Sequence, residues 1–123
     1  VSGAMREIVA RLRAKIPGVR ITGATLTSAV GNAGNAGSPE VDRKRRELNQ
    51  WIRAAGVFDA VADFDRATLD PAGGGMRAEF VPESTTGGAG DHLHPNRAGY
   101  LAMAGAVDLD TVVPGDAKGQ GAR

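Results

Sequence analysis

Both histidines of the chain fall in one hexapeptide, Asp91-His92-Leu93-His94-Pro95-Asn96, directly after a glycine-rich stretch. A carboxylate three residues before an imidazole lies within one turn of backbone and can accept a bond from the ring's Nδ1–H. Such a bond fixes the tautomer and leaves Nε2 free to act as a base. Asp91 and His94 have that spacing. Pro95 restricts the backbone at His94, and Asn96 is a residue type that caps helices, so the turn is tied to whatever helix follows. An acid and an imidazole held on one rigid turn are two thirds of a nucleophilic triad. Spacing alone also allows a purely structural turn. A third reading is metal binding, with His92 and His94 directed to one side of an extended segment and Asp91 as a third ligand. The proline after His94 and the acid three residues before it fit the triad better.

The elements that must carry this turn alternate between helix and strand. Met5, Ile8, Val9, Leu12 and Ile16 recur at helical spacing, opposite Arg6, Arg11, Arg13 and Lys15, and Pro17-Gly18 ends this first helix. Residues 19–26, VRITGATL, are β-branched and bounded by turn residues, which predicts a buried strand. GNAGNAGSP, residues 31–39, is a loop. Ser38-Pro39-Glu40 has the form of an N-cap, a proline in the first turn and an acid at the positive end of the dipole. The helix it opens runs to about Ala55, with Val41, Leu48, Trp51, Ile52 and Ala55 inward and the run 42–47, DRKRRE, as a charged outer face. Residues 57–64, VFDAVADF, form a second strand. Residues 70–90 form a long connection, functional or mobile, and the glycine-rich stretches GNAGNAG (31–37) and PAGGGM (71–76) are flexible loops able to rim a substrate cleft. Asn96 caps a third helix over 97–107 whose small side chains allow close approach to a neighbour, and Tyr100 packs against the body.

This order implies parallel strands joined by crossovers, with helices over the sheet. Two strands are too few for a parallel sheet covered on both faces. The expectation is therefore an α/β chain forming part of a three-layer α/β/α sandwich, its N-terminal strands missing. Residues 1–113 are its C-terminal part, and 114–123 are a frayed tail.

The length, 123 residues, suits one domain or a part of one. Fifteen Lys and Arg against fourteen Asp and Glu leave a net charge of +1, so no field exists to attract nucleic acid or anionic lipid. Cysteine is absent, which excludes a disulfide framework, thiol catalysis and cysteine-ligated zinc. No apolar run is long enough to span a bilayer, and VSGAMREIVARLRAK lacks the apolar core of a signal peptide. Alanine contributes 21 residues to the apolar share while Leu, Ile, Val and Phe together give 25, so the core is thin. The basic run Arg43 to Arg46 reads as solvated surface, and Trp51 as core rather than a sugar platform. The GNAGNAG and PAGGGM stretches lack the Lys-Ser/Thr of a phosphate-binding loop.

DHLHPNRAGY, residues 91–100, closely resembles the last block of the SGNH hydrolases, also called GDSL-type esterases and lipases, in which Asp-x-x-His-Pro supplies acid and base. ITGATLTSAVG, residues 21–31, and LNQWIRAAGVFDAVADFDRATLDP, residues 48–71, resemble earlier segments of one bacterial branch. The likeness covers roughly residues 4–107. It implies a three-layer hydrolase of carboxylic esters, on small-molecule or carbohydrate substrates such as acetylated sugars, without metal or cofactor. His94 would be the base that deprotonates a serine, Asp91 would orient and stabilise it, and His92 would be a bystander. The family's Gly-Asp-Ser and Gly-x-Asn-Asp blocks, which bring the nucleophile and oxyanion donors, are absent here. None of the serines, Ser2, Ser28, Ser38 and Ser84, follows Gly-Asp. The resemblance thus predicts a portion of a longer esterase, inactive alone, whose relatives are often exported. The alternative is a noncatalytic binding or interaction module derived from an esterase.

Overall fold

The computed structural model describes residues 1–112, and the tail expected over 114–123 lies outside them. Helix α1 spans Ser2–Lys15, strand β1 Thr22–Ala24, helix α2 Pro39–Ala54, strand β2 Ala60–Ala62, helix α3 Phe64–Thr68, helix α4 Arg97–Gly105 and helix α5 Leu109–Val112. Short 3₁₀ turns occur at Asn35–Gly37 and Ala78–Phe80. The fold is thus mixed helix and sheet, and the sheet of the described residues is a parallel pair, with Thr22 beside Ala60 and Ala24 beside Ala62.

Both strands are shorter than their sequence pattern, because a strand persists only where its backbone finds a partner. Single bonds extend the ladder at each end, from Asp59 N–H to the Ile21 carbonyl (2.8 Å) and from Thr25 N–H to the Ala62 carbonyl (3.1 Å). Beyond Ala62 the chain turns into α3, because the Asp63 side chain accepts from the N–H of Arg66 at 3.2 Å and caps a new helix. Phe64 is therefore helical, not the end of a strand. The expected cap of α2 is present, with Ser38 Oγ accepting from Val41 N–H at 3.4 Å.

The outward reading of residues 42–47 needs correction. Arg43 and Lys44 do form exposed pairs with Glu47 and Glu40, one turn away. Arg45, however, has a side chain only 8 % exposed, joined to Asp42 of its own helix and to Asp65 of α3. A buried guanidinium is stable only when paired and hydrogen-bonded, and here it also donates to the Leu26 carbonyl at 3.2 Å. One turn on, Asn49 is fully buried. Its Oδ1 accepts from Leu26 N–H and its Nδ2 donates to the Leu26 carbonyl, each at 2.8 Å. Arg53 grips Asp63 with two bonds of 2.8 and 2.7 Å and reaches Asp65 at 2.9 Å. Thr25 Oγ1 completes the set, donating to Asp63 (2.9 Å) and accepting from Asp65 N–H (2.9 Å). The inner face of α2 is thus a polar clamp on the chain leaving β1, and no buried side-chain polar atom among the described residues lacks a partner.

The apolar core is small, as the composition implies: Val9, Ala29, Ile52, Val57, Ala62, Met76 and Val81 are buried. Trp51 is half-buried, edge-on to Phe58 with ring centroids 6.1 Å apart, and Arg6 of α1 lies over its ring at 5.2 Å. On α1 only Val9 is buried, while Ile8, Leu12 and Ile16 of the predicted stripe are exposed. Tyr100 is exposed as well, contrary to the packing role expected of it.

Candidate active site

The long connection after α3 does not run free. Leu69 bridges to Met76, Asp70 N–H bonds the Gly75 carbonyl at 2.8 Å, and the Ser28 hydroxyl donates to the Gly74 carbonyl at 2.7 Å. The loop after β1 and the loop after α3 therefore lean on each other. Farther along, Asn96 draws the chain back. Its backbone N–H bonds the Phe80 carbonyl at 2.8 Å, and its Nδ2 donates to the carbonyls of Glu79 and Pro82, both at 2.9 Å. Its Oδ1 accepts from Gly99 N–H at 3.1 Å, which is the predicted cap of α4. Gly99 itself is buried against Pro95 and Phe80.

Between these anchors lies the turn 91–94. Gly90 has φ +79°, and a Cβ there would stand 2.0 Å from the Val81 carbonyl oxygen, so only glycine lets the chain enter the turn by this path. Asp91 then folds over its own successors. Its Oδ1 accepts from the N–H groups of Leu93 and His94, both at 2.9 Å, and its Oδ2 meets His94 Nδ1 at 2.7 Å. The backbone N–H of His94, then the His94 ring and the N–H of Leu93, hold the Asp91 carboxyl well below the usual carboxylate range. An ionised carboxylate only accepts, so Nδ1 carries a proton, and in the neutral ring Nε2 keeps its lone pair. The His94 side chain is 48 % exposed.

The structure thus brings Asp91 and His94 together and sets the His92 ring against Gly31. His92 adopts φ +57°, an uncommon conformation for a residue other than glycine. Its ring lies over Gly31, where a Cβ would come within 2.9 Å of His92 Nδ1. Among the described residues no three acidic or histidine side chains are placed to hold a metal ion. Sequence reasoning missed Asn32. Its Nδ2 donates to the Asp91 carbonyl at 2.7 Å across 59 residues, a separation that hides the contact from any local pattern. Three surface grooves, one of them between α1 and α2 beside Leu26 and Val41, include neither Asp91 nor His94. No described helix is long and apolar enough to cross a membrane.

A comparison with curated proteins finds no match. The family model of GDSL-like lipases and acylhydrolases matches residues 1–102, a span holding both strands, the clamp of α2 and the whole turn from Gly90 to Asn96. By that match, the chain belongs to the GDSL-like lipase/acylhydrolase family.

Proposed function

We propose that this chain supplies the base and its orienting acid to a serine esterase, His94 being the base and Asp91 the acid. The observation that carries the reading is the 2.7 Å bond between Asp91 Oδ2 and His94 Nδ1, with Nε2 on a half-exposed ring. In the reaction, Nε2 takes the proton of a serine hydroxyl as its oxygen attacks the ester carbonyl. The imidazolium so formed is stabilised by Asp91 and then gives its proton to the departing alcohol, leaving a serine ester. Water attacks that ester with the same base, which releases the carboxylic acid and restores serine. Family membership supports an ester substrate. The finer proposal is a small-molecule or sugar ester, an acetylated carbohydrate being the type case.

The nucleophile comes from polypeptide beyond these 123 residues. Ser28 is buried and bonded to Gly74, Ser38 caps α2, and Ser84 bonds Thr86 at 2.9 Å. Among the described residues no serine hydroxyl is hydrogen-bonded to His94, and Ser2 lies at the start of α1. Residues 1–113 are then the C-terminal part of a three-layer α/β/α domain whose remaining strands extend the β1–β2 pair. The missing serine also favours a second reading, a noncatalytic module that retains the turn.

The test uses the full-length gene product and a chromogenic acetate ester. Hydrolysis that falls about a thousandfold or more in His94→Ala supports the esterase. A full-length protein without turnover, or one indifferent to that substitution, leaves the module. The 123-residue chain by itself is expected to show no turnover.

A further inference from the structure

We propose that Asn32 is a positioning residue for the Asp91–His94 pair, holding the peptide group between Asp91 and His92 so that the turn keeps the shape in which the two side chains meet. The effect on rate rests on the catalytic reading above, whereas the effect on the turn rests on geometry alone.

Asn32 is itself held. Its backbone N–H bonds the Ala29 carbonyl at 3.0 Å, and its Oδ1 accepts from Gly34 N–H at 2.8 Å. With the acceptor end occupied, the Nδ2 end has one orientation, and it meets the Asp91 carbonyl at 2.7 Å. The loop that carries Asn32 is fixed in turn by Ser28, only 1 % exposed, which bonds both Val30 N–H and the Gly74 carbonyl. A rigid arm therefore runs from the buried clamp after β1 to the backbone of the turn.

That backbone needs holding. The left-handed conformation of His92 is strained for a residue other than glycine and persists only where the surroundings over-determine it. Asn32 grips the carbonyl on one side of His92, and Gly31 lets the imidazole settle from the other. Released from Asn32, the peptide group can rotate and His92 can return to negative φ. Leu93 and His94 then swing their N–H groups away from Asp91 Oδ1, and the carboxylate loses the frame that aims Oδ2 at the ring. A residue that merely fastened the loop would alter stability and leave the ring's tautomer untouched.

Asn32→Asp keeps the acceptor toward Gly34 and removes the donor toward Asp91, and Asn32→Ala removes both. In ¹⁵N-histidine spectra of this chain, His94 is expected to show one tautomer with the native Asn and a mixture in either variant. In the full-length protein kcat should fall about 10- to 100-fold with KM within about twofold. Folded variants with a single His94 tautomer and unchanged kcat overturn the proposal, and so does loss of the fold in both variants. His94→Ala serves as the control. If activity survives that change the catalytic reading fails, while the tautomer comparison still decides what Asn32 does.

Discussion

His94 holds Asp91 at two points, its backbone N–H on Oδ1 at 2.9 Å and its ring Nδ1 on Oδ2 at 2.7 Å. The two bonds share one carboxylate, so the backbone bond that fixes the acid also sets it beside the ring. This geometry uses a spacing of three residues, on a turn whose backbone Asn32 holds.

The paired hydrogen bonds make Asp91→Asn informative. To keep its oxygen toward the two backbone N–H groups, an asparagine must turn its NH₂ to His94 Nδ1. The ring would then carry its proton on Nε2, the wrong side for a base. In the full-length protein kcat should fall by roughly 10²- to 10⁴-fold, less than for His94→Ala. An unchanged kcat in the asparagine variant would refute the orienting role.

Asp63 makes stability depend on acid. The Arg53 guanidinium, aided by the N–H of Arg66 and the Thr25 hydroxyl, holds its carboxyl down at about 2. The folded value lies below the unfolded one, near 3.9, so the contribution is complete above about pH 4 and is lost as pH falls toward 2. Asp59 and Asp91, also lowered, act in the same direction. Urea midpoints measured from pH 5 to 2 should decline, and more shallowly in Asp63→Asn. A variant with an identical slope would contradict this assignment.

The Arg45–Asp65 pair predicts an asymmetry between single and double replacement. Asp65→Ala leaves a buried guanidinium with Asp42 as its remaining carboxylate and should cost about 3 kcal/mol in a denaturant titration. Replacing both, as Arg45→Met with Asp65→Leu, should recover a good part of that loss. Additive losses would show that the pair is not coupled.

Gly90→Ala tests the entry to the turn. The new methyl would collide with the Val81 carbonyl at a backbone angle that disfavours any side chain. A loss of about 2 kcal/mol or more is expected, together with displacement of the His94 ring signals. A neutral alanine would mean that the approach of residues 81 and 90 is looser than described.

The Asp91–His94 contact was legible because both residues lie within one hexapeptide, whereas the hold of Asn32 on it was not. So was the start of α2, where Ser38 and Pro39 announce a helix without help from the rest of the chain. Arg45 and Asn49 were not legible. A charged run looks solvated until α3 brings Asp65 beneath it, and nothing local to Asn49 says that Leu26 will bond both ends of its amide. The strands were over-read for the opposite reason, since β-branched residues favour extended backbone while only hydrogen-bonded partners set its length. The start of α3 carried a signal in Asp63, but one obscured by the apolar residues on either side.

Asn96 has a consequence of another kind. By tying itself to the carbonyls of residues 79, 80 and 82, it closes the neck of a bight that leaves at Pro82, carries the Asp91–His94 turn and returns at Asn96. Residues 84–88 hang in the same bight and are tied to Gly90, whose N–H bonds the Gly87 carbonyl at 3.1 Å, so a change in their length is transmitted to the histidine rather than absorbed.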